Sequence, residues 1–269
     1  MRRIILSQSR RANVGHIGSC LCVVEILVAL YRDVLKARSP DDPDRDRFIL
    51  SKGHSALALY AALALKGFIS EADLGTFCGD HSQFGVHPES VVPGIDFSTG
   101  SLGHGIGFAV GAALGARMQG SDRRVFCLLS DGECNEGSVW EAAAFAAHHQ
   151  LGRLTAVLDW NGQQAFGRTP DVLDYSNLAE RWEAFGWRVS EVDGHDLDAL
   201  GRALTPRPSP RERPHIVLAR TTFGKGVSYM ERGISASRPH LGANPIHWHY
   251  LPMSAEEYET AILEVEGRR

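Results

Sequence analysis

What this 269-residue sequence lacks narrows it first. No apolar run approaches the roughly 20 residues that a membrane-spanning helix needs. The opening MRRIILSQSRR places only Ile4–Leu6 between charged groups, short of the ~7 apolar residues of a secretory signal. Positive charge is not in excess: 28 Lys and Arg face 32 Asp and Glu, and no basic face is evident, which argues against nucleic acid as a partner. The five cysteines, Cys20, Cys22, Cys78, Cys127 and Cys134, form neither a C-x-x-C pair nor a zinc spacing with histidine. They read as reduced, buried thiols. A cytoplasmic protein with no membrane contact is the expectation.

What is present is ordinary globular material, 43% hydrophobic and 22% charged, long enough to bury a sizeable core. A single domain over 1–269 is expected, with a loop-rich extension from about 221. Cys20–Lys36 carries apolar residues at helical spacing and ends before the turn-rich Ser39-Pro40-Asp41-Asp42-Pro43. Ser55–Lys66 reads as a helix stopped by Gly67. Gly105–Met118 reads as another, its glycines expected to serve close packing. Short β-like runs follow at Val125–Leu129, Leu154–Leu158, Trp187–Val192 and His215–Ala219. Helical segments separate them at Ser138–Gln150, Tyr175–Phe185 and Asp196–Leu204. This alternation predicts a three-layer α/β/α fold with a mainly parallel sheet, whose ligands bind at the strand carboxyl ends. Pro206–Pro214 is a short connector and Arg232–Pro245 a long loop. Ser254–Glu266 is a closing helix with Ser254 as N-cap and Glu257 three residues on.

The stretch VFCLLSDGECNEGSVWEAAAFAAHHQLGRLTAVLDWNGQQ is the most informative. One strand ends before Ser130-Asp131-Gly132 and the next before Asp159-Trp160-Asn161. In a βαβ unit these ends are neighbours. A carboxylate and a carboxamide then share one edge, and both are hard oxygen ligands of the kind magnesium takes. Gly132 lets backbone approach a diphosphate, and the following helix N-terminus favours negative charge. Read alone, Asp131-Gly132 is also an ordinary turn.

That stretch resembles the thiamin-diphosphate fingerprint of Gly-Asp-Gly followed after about thirty residues by Asn-Asn. Asp131 and Asn161 lie 30 positions apart, with Ser130 and Trp160 as the two departures. The resemblance implies the thiamin-diphosphate-binding fold, Mg2+ held by Asp131, Asn161 and the backbone carbonyl of Gln163, and Gly132 against the diphosphate. Further motifs are similar to those of transketolases in particular: Asn13-Val14-Gly15-His16-Ile17-Gly18, Asp46-Arg47-Phe48-Ile49-Leu50-Ser51-Lys52-Gly53-His54, Gly85-Val86-His87-Pro88-Glu89, Thr99-Gly100-Ser101-Leu102-Gly103-His104-Gly105, and Thr221-Thr222-Phe223-Gly224-Lys225-Gly226 ahead of Trp248-His249. The resemblance covers nearly the whole chain, from Arg10 to about Glu266.

The resemblance implies a thiamin-diphosphate-dependent transketolase subunit that moves a two-carbon ketol unit from a ketose to an aldose. His16 and His87 would meet the donor's C1 hydroxyl and carbonyl. His54 and His249 would lie near the diphosphate and thiazolium, with His247 as the alternative to His249. Gly100, Ser101, Leu102, His54, Glu136, Asn161 and His249 would contact the cofactor. His104 stands where many relatives carry Gln. Glu136 and Glu141 would lie at a subunit contact. His148, His149, His195, His215 and His240 read as structural or surface residues. The family's activating glutamate lies on a pyrimidine-binding domain, so a second chain is expected to supply it, in an α2β2 assembly acting on small sugars. Relatives carry more helix before His16, so Met1 is expected to fall inside that helix. The other readings are a 2-oxoacid dehydrogenase or decarboxylase subunit, and a non-catalytic paralogue.

Overall fold

The computed structural model describes residues 1–175, 177–206, 209–232 and 246–267. His240 and most of the expected 232–245 loop lie outside them. Helix α1 (Arg2–Ala12) ends on Asn13 in the left-handed conformation. Next come α2 (Ile17–Cys22) and α3 (Val24–Val28), the latter continuing as a π-helical turn over Ala29–Val34. The single helix expected over Cys20–Lys36 is therefore corrected. It starts earlier and breaks at Val23, whose φ of −97° and ψ of 7° leave the helical region. At the break the Arg2 guanidinium reaches the Leu21 carbonyl at 3.4 Å.

Strand β1 (Arg47–Leu50) leads through a 3₁₀ turn into α4 (Ala56–Lys66), stopped as expected by Gly67 at φ 81°. A short α5 (Glu71–Leu74) and a long connection precede α6 (Gly105–Met118). Then come β2 (Val125–Ser130), α7 (Gly137–His148) and β3 (Leu154–Trp160). Strands β4 (Gln163–Gln164) and β5 (Gly167–Arg168) form a two-stranded hairpin ahead of α8 (Thr169–Val172) and α9 (Leu178–Ala184). The chain continues with β6 (Arg188–Asp193), α10 (Leu197–Leu204) and β7 (His215–Arg220). It closes with α11 (Ser228–Arg232), α12 (His247–Tyr250) and α13 (Ala255–Val265). The capping box expected on α13 is present: Glu257 N–H donates to Ser254 Oγ and Ser254 N–H to Glu257 Oε2.

The main sheet runs β1-β2-β3-β7-β6, every pair parallel. Side chains alternate across it with the strand period of two. Phe48, Phe126, Leu128, Val157 and Val217 face a core shared with the helices from α1 to α4, α10 and α13. Ile49, Cys127, Leu129, Leu158 and Leu218 face a second core closed by α6, α7 and α9. Each fully buried Leu or Phe contributes roughly 1.5–3 kcal/mol, so burial on both faces makes this a stable three-layer α/β/α sandwich. Because every strand is parallel, the ends of β1, β2, β3 and β7 meet at one edge, as Leu50, Ser130, Trp160 and Arg220.

The glycines of α6 divide. A Cβ on Gly105 would lie 2.5 Å from Ser51 Cα, so this glycine lets α6 begin against the end of β1. At Gly107, Gly111 and Gly115 a Cβ would meet nothing within 4 Å, so the close packing expected of them is absent among the described residues.

Candidate active site at the strand carboxyl edge

Asp131, immediately after β2, is fully buried. Its Oδ2 accepts from Gly162 N–H (2.9 Å) and Thr169 Oγ1 (2.8 Å), and its Oδ1 from Gly132 N–H (2.9 Å). Burial and the nearby Asp159 carboxylate push its pKa up to about 7. Asn161 is buried one residue beyond β3. Its Nδ2 donates to Asp159 Oδ2 (2.9 Å) and its Oδ1 accepts from Gln163 N–H (2.8 Å). Gln163 is buried in β4, and neither polar atom of its side chain has a partner. Gly132 opens a 3₁₀ turn over Gly132–Asn135, with the Gln164 side chain 3.2 Å from where a Cβ would stand.

The two departures from the fingerprint are accommodated. Ser130 does not need the left-handed backbone that would favour glycine, and its N–H donates to Glu133 Oε2 at 2.9 Å. Trp160 lies under the Arg220 guanidinium, 4.1 Å from its ring centre.

Four histidines converge beside this edge. His16 caps α2 in the left-handed region (φ 59°), a conformation that costs a non-glycine residue on the order of 1–3 kcal/mol. Its ring centre lies 5.7 Å from that of His54 and 6.5 Å from that of His87. His16 N–H donates to the His249 carbonyl at 3.1 Å, so α12 is laid directly on the His16 turn. His249 is buried and its ring packs on Phe223 at 4.6 Å. His247 instead packs on Trp248 at 4.3 Å, so the structure brings His249 into the cluster and not His247. His16 Nδ1 and His249 Nε2 are buried without a partner. Burial lowers the pKa of His16, aided by His87 and Lys52. Burial and then Lys52 hold His54 well below the usual range and bring His249 to about 3. These three rings are neutral near pH 7, and each offers one donor and one acceptor nitrogen.

His87 is exposed, its ring lying over Gly100, and Tyr60 Oη donates to its carbonyl at 3.0 Å. The Gly100-Ser101-Leu102 segment passes next to Gly53, where a Cβ would stand 2.9 Å from Gly100 N. Ser101, Leu102, His104, Glu136 and Glu141 are exposed. His148, His149, His195 and His215 lie away from this cluster. His215 shares a 2.9 Å bond with Ser190 Oγ. His195 Nε2 accepts from Thr222 N–H at 2.8 Å, which leaves Nδ1–H to donate to Glu25 (2.9 Å), itself gripped by Arg2. His148 and His149 lie at the end of α7.

Sequence reasoning missed three buried charges. Glu133 accepts from Ser51 Oγ (2.6 Å), Gly103 N–H (2.9 Å) and Ser130 N–H, tying the 99–103 loop to the ends of β1 and β2. Lys52 donates to Asp159 Oδ2 at 2.5 Å, both side chains fully buried. Burial alone would suppress both charges. Each instead sustains the other, Lys52 held above and Asp159 below its ordinary range. Lys52 and Asp159 stand two residues before His54 and Asn161, inside the same motifs, yet nothing in either motif marks them as a pair.

A family model, the transketolase thiamine diphosphate binding domain, matches residues 1–249. The chain belongs to the transketolase family. It is 39% identical to an apulose-4-phosphate transketolase subunit from Phocaeicola vulgatus, over 96% of this chain and 88% of that one. It is 35% identical to the 6-deoxy-6-sulfo-D-fructose transketolase subunit SqwG of a Clostridium species, over 99% and 94%. Among solved structures, Campylobacter jejuni transketolase superposes with a TM-score of 0.84 at 29% identity, covering 98% of this chain and 41% of that one. This transketolase chain therefore spans about two fifths of such solved transketolases and most of the two subunits.

The residues present fit the cofactor a transketolase domain of this kind binds. Asp131 Oδ1 and Asn161 Oδ1 each accept a single backbone donor, so each keeps a lone pair. A buried carboxylate whose pKa is pushed up to about 7 is a site that a cation would relieve. The unpartnered nitrogens of His16 and His249 lie in the same cluster as His87, whose ring lies over Gly100.

The clamp between the His16 turn and α12 is testable. A Cβ on Gly15 would stand 2.3 Å from the Tyr250 carbonyl oxygen. Gly15→Ala is expected to cost about 1–3 kcal/mol of stability through overpacking, measured by urea unfolding of the pure protein. Unchanged unfolding would show that the two segments separate freely.

Proposed function

We propose that this chain holds thiamin diphosphate and Mg2+ at the strand carboxyl edge and, with a partner subunit bearing a pyrimidine-binding domain, transfers a two-carbon ketol unit from a ketose to an aldose. The observation that carries the reading is the gathering of neutral His16, His54 and His249, with His87 at the rim, beside a buried Asp131–Asn161 pair. Asp131, Asn161 and the Gln163 carbonyl would hold the metal, a hard-oxygen set. Gly100, Ser101, Leu102, Gly132, His54, Glu136 and His249 would meet the cofactor. Bound thiamin diphosphate supplies the carbon nucleophile and electron sink of the reaction.

The protein's own groups bind, orient and move protons. His16 and His87 take hydrogen bonds to the donor's C1 hydroxyl and carbonyl oxygen. A neutral imidazole accepts a hydroxyl proton and returns it without leaving the neutral pH range. The buried rings of His249 and Phe223 exclude water from one wall. This hydroxyl-directed set favours a ketose over a 2-oxoacid donor. The two relatives carry the names of a phosphorylated and a sulfonated sugar, which supports a ketose with an anionic substituent as the substrate class.

Relatives named as subunits support a partner chain. Exposed Glu136 and Glu141 at the start of α7 are available for a subunit contact in an α2β2 assembly. Five free cysteines suit a cytoplasmic location. Among the described residues no helix is long and apolar enough to cross a membrane.

A donor assay on the two-chain complex tests the reading, with turnover expected from a ketose and none from pyruvate. His87→Ala is expected to lower kcat and kcat/KM with that ketose together, by about 10²-fold. Its dissociation constant for thiamin diphosphate, measured by calorimetry, should stay near that of the parent. Parental turnover with weakened cofactor binding would move His87 from sugar to cofactor.

A further inference from the structure

We propose that the buried Lys52–Asp159 pair is the positioning unit of the metal centre, fixing which face of the Asn161 carboxamide the metal meets. The inference rests on the proposed cofactor site. Asp159, the penultimate residue of β3, receives four side chains from four parts of the fold: Lys52 Nζ (2.5 Å), Cys22 Sγ (3.1 Å), Thr221 Oγ1 and Asn161 Nδ2 (2.9 Å). These come from the end of β1, from α2, from beyond β7 and from the end of β3 itself. The carboxylate is thus immobilised by its neighbours before it accepts from Asn161.

A carboxamide has two chemically opposite ends on one planar group, and only its oxygen can ligate a hard cation. Asp159 is acceptor-only and therefore demands the amide NH2. Gln163 N–H, on the other side, demands the oxygen. Turned over, Asn161 would set its oxygen against the Asp159 carboxylate and its NH2 against the Gln163 N–H. The adjoining Gly162 N–H is bonded to Asp131 Oδ2, so the same turn also sets Asn161 relative to the other proposed ligand.

Stability alone gives little reason for the pair, because well-packed apolar residues often replace a buried ion pair without loss. Apolar residues could not accept from the Asn161 amide. Lys52 has a supporting part: its ammonium holds Asp159 Oδ2 at 2.5 Å, on the same oxygen that accepts from the Asn161 amide.

Two doubly substituted chains separate positioning from packing, each prepared as the complete two-chain complex. Lys52→Met with Asp159→Asn removes both charges and leaves an acceptor oxygen for Asn161 when the new NH2 turns to Thr221 Oγ1. Lys52→Met with Asp159→Leu removes the acceptor too. Neither leaves a lone buried charge, and thermal unfolding checks that both fold. Mg2+ affinity is read by calorimetry at saturating thiamin diphosphate. The Asn variant is expected within about 3-fold of the parent and the Leu variant about 10-fold or more weaker, the scale of removing a group that orients a ligand. Adding Asn161→Asp to the Leu variant should restore affinity, because a carboxylate presents oxygen on both sides. Equal affinities in the two double variants, or no rescue by Asn161→Asp, would overturn the proposal. If the Leu variant fails to fold, the Asn variant decides: a 10-fold loss there also overturns it. Absence of Mg2+-dependent binding in the parent complex would instead remove the cofactor reading beneath it.

Discussion

Asp131→Ala is expected to abolish Mg2+-dependent binding of thiamin diphosphate, weakening it by more than about 100-fold, since even groups that only orient a metal ligand are worth 10–100-fold. The reason lies in the isolation of this carboxylate. It is fully buried, and its hydrogen bonds come from two backbone amides and one hydroxyl, none of them charged. The buried lysine nearby is committed to Asp159. Burial and Asp159 together push Asp131 up to about 7. Raised above its unfolded value, this group disfavours the folded state as pH climbs through about 7. A divalent cation reverses that by holding the carboxylate ionised. The alanine variant should keep the parental far-ultraviolet circular dichroism, because Asp131 lies beyond β2 and outside both apolar cores. Calorimetric titration with thiamin diphosphate, with and without Mg2+, reads the effect. Parental affinity in the variant would remove Asp131 from the metal site.

The layered fold was legible because its strands are buried on both faces and its helices are bounded by strong local signals. Gly67 stops α4, Gly105 and Met118 bound α6, and Ser254 with Glu257 caps α13. Local signals failed where structure is set from a distance. Strand β1 has four residues and owes its place to pairing with β2, not to its own pattern. The hairpin Gln163–Gln164 with Gly167–Arg168 has no apolar alternation to announce it. At the Val23 break the Leu21 carbonyl is met by Arg2, 19 positions away, which no local pattern announces. At the site, Asp131, Asn161 and the histidines stood in short motifs with fixed spacing. The Lys52–Asp159 pair spans 107 positions and the Ser51–Glu133 bond 82, so neither leaves a spacing to find. Separations of that size become contacts only once the sheet has formed.

The central claim is that this chain supplies half of a two-chain transketolase. Relatives named as subunits, 88% and 94% of whose lengths it covers, motivate it. The proposed metal ligands and the histidines lie at the carboxyl edge of one sheet. There a bound cofactor would be gripped at its diphosphate end, and activation of its aminopyrimidine would have to come from another domain. The deciding measurement is a coupled ketose assay at saturating thiamin diphosphate and Mg2+, run on the isolated chain and after titration with the partner subunit. Light scattering on the same samples reports the assembly. The account predicts no ketol transfer by the chain alone, and turnover that rises with added partner until the two are equimolar, with an α2β2 mass. Substantial transfer by the isolated chain, or a partner that binds without raising turnover, would contradict it.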